Sequence, residues 1–304
     1  MKQENPILKE LKSRGFRFKK QLGQNFLFHP FVLSQIVEAA EVGPEDTVIE
    51  IGAGAGTLTE ALAQKGAQVV AIELDKALLP LLFKRFADNP RVTIVEGNAL
   101  RMDLGQWAES YKVVANLPYH ISTPMLTRLF RELRGVSGGA VMVQKEVAEK
   151  VTAKAGRAGY GMLALAAFAY GHVEQVMTLS PEYFVPPPPV DSAVLAFRRQ
   201  PPTLPAEEGP LWQVIRGVLN QRRKSLTNGL KSLNAPVPKE GKTWVDVLAE
   251  AGIDGSRRGE TLTLEEFAAI TAAAGYFACS TSSQEKTSGR RSFSASIDQS
   301  PSLE

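Results

Sequence analysis

Five short runs of aliphatic, mostly β-branched residues punctuate the first half of the chain, at 48–51, 69–74, 92–95, 112–115 and 140–143. Each is apolar almost throughout rather than at alternate positions. That is the pattern of a strand buried on both faces. Helical periodicity over 58–64, 77–86 and 124–133 separates the runs. A strand–helix–strand succession of this kind folds as a parallel sheet covered by helices on both sides. The spacing therefore predicts an α/β, doubly wound, Rossmann-like domain. Two more strands, 173–179 and 193–198, follow a helix over 161–170. The proline-rich bend between them favours an antiparallel pair at the sheet edge.

Composition changes between Gln200 and Pro210, where prolines and acids replace the apolar runs. That stretch reads as a linker. Beyond it, helical patterns at 211–219, 225–233, 244–251 and 264–274 make a small, all-helical C-terminal domain. Thr263 and Glu266 are spaced as a capping box for the last helix. From Ser280 onward nine of 25 residues are serine and almost none are apolar, which predicts a disordered tail. The expected organisation is a basic lead-in over 1–30, the α/β domain over 31–200, the helical domain over 201–278 and the tail over 279–304.

The chain has 304 residues and a single cysteine, Cys279, so no intrachain disulfide can form and a reducing compartment is expected. Three scattered histidines and that cysteine make no metal cluster. The longest apolar run, 162–170, falls far short of the roughly 20 residues that span a bilayer. The lysine-rich N-terminus lacks the apolar core of a signal peptide. A soluble, cytoplasmic protein follows as the expectation.

Net charge is only +3, but it is uneven. Residues 1–20 carry seven Lys/Arg against Glu4 and Glu10. Residues 211–234 carry Arg216, Arg222, Arg223, Lys224 and Lys231 with no acid. Such patches suit a polyanion partner, and on charge alone they suit solvated helix faces equally.

Four stretches carry chemistry. The first strand runs into Gly52, Gly54 and Gly56 before a helix. The third glycine comes one residue too early for a dinucleotide fingerprint, and no G-K-[ST] follows, so a phosphate-cradling loop is not indicated. Glu73 ends the next strand, 21 residues past Gly52, where an acid accepts both hydroxyls of a ribose. With no pyrophosphate demanded, S-adenosylmethionine fits this pair better than NAD. Asn98 follows the third strand, and its amide offers both a donor and an acceptor to an adenine edge.

The fourth stretch is Asn116-Leu117-Pro118-Tyr119, at the end of the fourth strand, where open α/β sheets place ligands. A plain turn there would need only Gly, Asn or Asp. Tyr119 offers a flat face for a base. The Asn116 side-chain oxygen and the Leu117 carbonyl can accept the two hydrogens of an exocyclic amine. This reads as a clamp for an amino-bearing base, working by orientation and electrostatics.

These residues resemble a known family. Asn-Leu-Pro-Tyr is similar to the [DNS]-P-P-[YFW] element of amino-methyltransferases. Together with QLGQNFL, EIGAGAGTLT, IELD, QKEVAEKV, FVPPPPVDSAV, NQRRKSLTNGL and RRGETLTLEEF, it resembles the rRNA adenine N6,N6-dimethyltransferases, in particular their bacterial small-subunit branch. The likeness runs from about Lys19 to Ala274. It implies that Asn25, Leu27, Gly52, Gly54, Glu73, Asn98 and Asn116 contact S-adenosylmethionine. It also implies that Phe184 sandwiches the target base opposite Tyr119, and that Arg222, Arg223 and Lys224 meet RNA. Many members carry aspartate where Asn98 stands.

The implied protein is a monomeric, metal-free, cytoplasmic enzyme. It would dimethylate two adjacent adenosines near the 3′ end of 16S rRNA in an assembling 30S subunit. Two rivals share the fold: an antibiotic-resistance methyltransferase of 23S rRNA, and a non-catalytic ribosome-assembly factor. The arginine-rich small domain favours the small-subunit enzyme over the first. The intact glycine loop, Glu73 and Asn116 argue against the second.

Overall fold

The computed structural model describes residues 5–201, 203–233 and 236–277. Its strands are β1 (Phe26–Leu27), β2 (Thr47–Ile51), β3 (Gln68–Glu73), β4 (Val92–Glu96), β5 (Tyr111–Asn116), β6 (Val136–Gln144), β7 (Gly171–Leu179), β8 (Phe184–Val185) and β9 (Ser192–Arg199). Helices α1 (Pro6–Ser13), α2 (Pro30–Ala39), α3 (Thr57–Gln64) and α4 (Leu79–Phe86) come from the first half of the chain. In the middle lie α5 (Tyr119–Arg131), α6 (Lys145–Thr152) and α7 (Met162–Tyr170), and the C-terminal part is α8 (Glu208–Leu219), α9 (Leu226–Lys231), α10 (Trp244–Glu250) and α11 (Leu264–Ala273).

Seven strands form one sheet in the order β4-β3-β2-β5-β6-β9-β7. The first five are parallel. β9 runs antiparallel to both β6 and β7, so the expected antiparallel pair exists, with β7 at the edge and β9 inserted inside it. β1 and β8 make a separate two-stranded ribbon.

Alternate residues of each central strand enter opposite cores, because side chains along a strand alternate sides. Ile49, Ile51, Val113, Ala115, Val141 and Val143 pack with α5, α6, α7 and the C-terminal helices. Val48, Val69, Ala71, Val114, Ala140 and Met142 pack with α2, α3 and α4. The doubly wound reading holds. The C-terminal helices share the first core rather than standing apart. Arg131 of α5 also lies over the Trp212 ring of α8, 4.4 Å from its centroid, a cation–π contact across that join.

Several boundaries differ from those expected; α8, for one, begins at Glu208, inside the expected linker. β6 begins at Val136, four residues before the expected run at 140. Gly138 and Gly139 precede the expected run, yet they lie inside β6, where neighbouring strands crowd them. A Cβ on Gly139 would lie 1.9 Å from the Val113 carbonyl oxygen. β7 starts at Gly171, directly after α7, for a similar reason: a Cβ there would lie 2.3 Å from the Gln200 nitrogen. α5 starts at Tyr119, so Pro124 lies inside the helix rather than at its first position.

The expected capping box of α11 is present, and α10 has a second one built from Thr243 and Asp246. The serine-rich segment 279–304, expected to be disordered, lies outside the described residues. Among the described residues, no helix is long and apolar enough to cross a membrane.

Candidate active site

The strand order reverses at β2: β3 and β4 lie to one side of it, β5 and β6 to the other. A cleft opens above the carboxyl ends of these strands, where doubly wound sheets leave room for a ligand. Gly52, Gly54, Glu73, Asn98, Asn116 and Tyr119 all line it. Sequence positions spread over 68 residues thus meet at one place.

Gly52, Gly54 and Gly56 all have positive φ (80°, 58° and 75°), which lets β2 turn sharply into α3. A Cβ on Gly52 would point between the Pro118 ring, 3.7 Å away, and the Asn116 carbonyl oxygen, 4.0 Å away. The missing side chain keeps that gap in the cleft open. Glu73 is buried, and its two oxygens accept from the Gly54 and Asp75 backbone N–H groups, each at 2.7 Å. Burial pushes its carboxyl above the ordinary value, against the lowering effect of those N–H groups, and the charge of Asp75 adds to the rise. Each oxygen keeps lone-pair capacity for a further donor.

Asn98 sits in the turn after β4. Its Oδ1 accepts from the Leu100 N–H at 3.0 Å. That bond leaves Nδ2 and one lone pair of Oδ1 for a ligand, the two-way edge expected from the amide. Arg128 of α5 pins the same turn by donating to the carbonyls of Ala99 and Met102.

Residues Leu22 to Phe26 of the N-terminal lead-in form the wall facing the glycine loop. Asn25 is among them. Its backbone carbonyl accepts from Nδ2 of Asn116 at 2.9 Å. Leu27 lies beside the main cleft, in a small adjoining pocket that it lines together with Phe26, Gly52, Gly54 and Asn116. It is 3% exposed in β1, and its carbonyl accepts from the Thr57 hydroxyl at 2.8 Å, tying the ribbon to the start of α3.

Leu117 is buried and donates its N–H to the Met142 carbonyl at 3.0 Å. Pro118 is the residue before the first turn of α5, so Tyr119 rides on the helix itself rather than on a free loop. The Tyr119 hydroxyl is 2.7 Å from the Ser192 hydroxyl of β9. Burial raises the Tyr119 pKa, the Ser192 bond opposes this, and the Asp191 charge adds to it. Phe184 is 3% exposed, paired with Leu27 in the β1–β8 ribbon, and does not line the cleft.

Arg222, Arg223 and Lys224 lie exposed on the turn between α8 and α9, and no ion pair holds them among the described residues. The N-terminal patch is partly neutralised: Arg14 pairs with Glu10 at 2.7 Å and Lys19 with Asp75 at 2.5 Å. Gln24, which lines the cleft, and Asp75 and Ser192, which hold the lining residues Gln24 and Tyr119, carry no local signal in the sequence. The first two stand inside the quoted stretches QLGQNFL and IELD, and Ser192 inside FVPPPPVDSAV, but their partners lie far away in sequence.

A family model described as ribosomal RNA adenine dimethylase matches residues 15–269. Ribosomal RNA small subunit methyltransferase A of Bacillus mycoides (strain KBAB4) is 43% identical over 266 residues, covering 84% of this chain and 91% of its own. The protein of the same name from Bacillus cereus (strain AH187) gives the same values. Among solved structures, a dimethyladenosine transferase from Plasmodium falciparum aligns with a TM-score of 0.69 at 24% identity, over 83% of this chain and 99% of that one. The 23S rRNA methyltransferase ErmE aligns with a TM-score of 0.66, also at 24% identity, over 83% of this chain and all of its own (100%). These last two likenesses are likenesses of fold.

Proposed function

The chain belongs to the ribosomal RNA adenine dimethylase family, and from that membership we propose that it dimethylates two adjacent adenosines near the 3′ end of 16S rRNA in the assembling 30S subunit. It is an S-adenosylmethionine-dependent rRNA adenine dimethyltransferase. We place its work in the cytoplasm, as a monomer that needs no metal.

The cleft fits the cofactor. Gly52 leaves a gap that a side chain would fill, Glu73 keeps acceptor capacity for ribose hydroxyls, and Leu74, Leu78 and Leu100 supply apolar walls for a purine. Asn98 donates Nδ2 to the purine edge. When bound, S-adenosylmethionine supplies a methyl group on a positively charged sulfur.

The protein's own part is to orient the amine. The lone pair of an adenine N6 is spread into the ring, which makes it a poor nucleophile. Asn116 Oδ1 and the Leu117 carbonyl accept its two hydrogens, which favours a pyramidal nitrogen with the lone pair aimed along the cleft. No strong base is needed, since the nitrogen sheds a proton readily once it has gained a methyl. Tyr119 stacks on the base, which has first to be unstacked from the RNA. Phe184 takes the opposite side once the β1–β8 ribbon yields. Arg222, Arg223 and Lys224, in the small helical domain over 201–278, hold phosphates.

The observation that carries this reading is the Asn116 amide. Its Nδ2 is fixed on the Asn25 carbonyl, and no described residue donates to Oδ1 or to the Leu117 carbonyl. Two acceptors therefore stand free at the end of β5. Transfer of labelled methyl from S-adenosylmethionine to undermethylated 30S particles, with 50S particles alongside, tests it. Label on 30S is expected. Label on 50S alone identifies an antibiotic-resistance enzyme, and label on neither identifies an assembly factor.

A further inference from the structure

The transfer chemistry makes no use of Asp75, yet Asp75 is a buried charge directly behind the cleft, whose wall includes its neighbours Glu73 and Leu74. It lies two residues past Glu73, and its side chain is 1% exposed. A carboxylate in such a place persists only if donors surround it. Oδ1 accepts from Lys19 Nζ at 2.5 Å and from the Ala77 N–H at 3.0 Å. Oδ2 accepts from Gln24 Nε2 at 2.7 Å. Burial pushes the Asp75 pKa up, but these donors together outweigh it and hold the carboxyl below its ordinary value.

Two of those donors belong to the N-terminal lead-in, 56 and 51 positions upstream. Gln24 is held at its other end as well, since its Oε1 accepts from the Lys19 N–H at 2.7 Å. The stretch from Lys19 to Gln24 is thus drawn into a loop against Asp75. The next residue, Asn25, is bonded to Asn116 on the far side of the cleft. Residues 22–25 therefore line the cleft within a stretch held to Asp75 through Lys19 and Gln24 and to Asn116 through Asn25. On its inner side Asp75 donates its N–H to Glu73, whose other oxygen takes the Gly54 N–H. Two carboxylates join the strap, the ribose end of β3 and the glycine loop.

We propose that Asp75 is a positioning residue for cofactor binding: it fastens residues 19–25 against the cofactor cleft, and cofactor exchange proceeds by breaking its bonds to Lys19 and Gln24. This rests on the reading of the cleft as the S-adenosylmethionine site. Placing two methyl groups on each of two adenosines requires spent cofactor to leave repeatedly, so a wall of the cleft has to open. The Lys19 side chain is 48% exposed while that of Asp75 is 1% exposed. Water can replace the carboxylate at the lysine, so the fastening opens from that end, with Asp75 staying in place.

The test uses full-length Lys19→Met, Lys19→Arg and Asp75→Asn beside the wild type. The measurements are S-adenosylmethionine affinity by calorimetry, release of S-adenosylhomocysteine by stopped flow, and KM and kcat on 30S particles. Hydrogen exchange of amides 19–25 reports the strap itself. If the strap is closed for only part of the time in Lys19→Met and Asp75→Asn, apparent affinity falls with that fraction, and a rise of about tenfold in KM and in release rate is expected. kcat at saturating cofactor should not drop, exchange over 19–25 should quicken, and Lys19→Arg should behave as wild type. Unchanged KM and release in both variants overturn the proposal. So does a loss of kcat that tracks thermal stability, or a Lys19→Arg as defective as Lys19→Met. A wild type that binds no S-adenosylmethionine overturns the cofactor reading itself, and this proposal with it.

Discussion

The side-chain nitrogen of Asn116 donates to the backbone carbonyl of Asn25 at 2.9 Å, across 91 residues of sequence. The bond decides which way the amide faces. Because the carbonyl of Asn25 can only accept, the nitrogen of Asn116 must point to it, and the oxygen points away.

Asn116→Ala should therefore lower the single-turnover rate of methyl transfer by about 10²–10³, the usual loss for one preorganised contact to a reacting group. Asn116→Asp separates orientation from size. A carboxylate cannot donate to Asn25, so the strap should loosen and cofactor affinity should fall together with the rate. Near-normal rates with a lowered melting temperature in both would show that Asn116 only shapes the turn.

Glu73→Ala should weaken S-adenosylmethionine binding by roughly 10- to 100-fold, since bonds to a charged acceptor contribute about 1.5–3 kcal/mol each. The Gly54 and Asp75 N–H groups lose their acceptor as well, so the melting temperature should also fall. Calorimetry showing unchanged affinity would remove Glu73 from the ribose site.

Tyr119→Phe keeps the ring and removes the hydroxyl that meets Ser192, whereas Tyr119→Ala removes both. Single-turnover rates on 30S particles should be near wild type for the first and strongly reduced for the second. Equal defects would assign the role to the hydroxyl rather than the ring face.

Glu50 of β2 is 1% exposed and accepts from the Thr59 hydroxyl at 2.5 Å. Burial pushes its pKa to about 8, the Thr59 bond opposes the rise, and the charge of Glu73 adds to it. The folded value lies above the 4.5 of the free side chain. The stability tied to protonated Glu50 is then full below that value and lost as pH rises to about 8. Glu50→Gln mimics the protonated form. Its melting temperature should hold between pH 6 and 9 better than that of the wild type, with a gap growing by at most about 1.4 kcal/mol per pH unit. Parallel pH curves for the two proteins would count against a protonated Glu50.

Replacing Arg222, Arg223 and Lys224 with alanine should weaken 30S binding and flatten its salt dependence, by roughly 0.7–0.9 in the log–log slope for each phosphate that is no longer neutralised. Cofactor affinity should stay put. A wild-type slope in a filter-binding titration would leave these cations as solvated surface.

The parallel half of the sheet was legible because its signal is local: each strand is an apolar run, and each cleft residue ends one. What stayed hidden depends on distant neighbours. Gly138 and Gly139 lie outside the apolar run at 140–143, and only the close approach of Val113 and Phe197 shows why they belong to the strand. Pro124 looks like a helix start until Tyr119 is seen to begin the helix. Glu73 is recognisable from its spacing to Gly52, but Asp75 has no such ruler, since its donors come from a segment with no regular period. Asn98 shows the reverse case: its place after β4 is legible, but its bond to the Leu100 N–H, which fixes how the amide faces, is not.

β9 lies between β6 and β7 although it follows both in the chain. During synthesis the parallel strands leave the ribosome first, carrying Gly52, Glu73, Asn98 and Asn116. The strand that completes the sheet comes later, and Ser192, which braces Tyr119, comes with it. Domains tend to fold as their N-terminal parts emerge. The nascent protein thus has the carboxyl ends of its parallel strands before it has the hydroxyl that braces Tyr119. Until β9 slides in, β6 offers an open row of backbone donors and acceptors to any neighbouring strand.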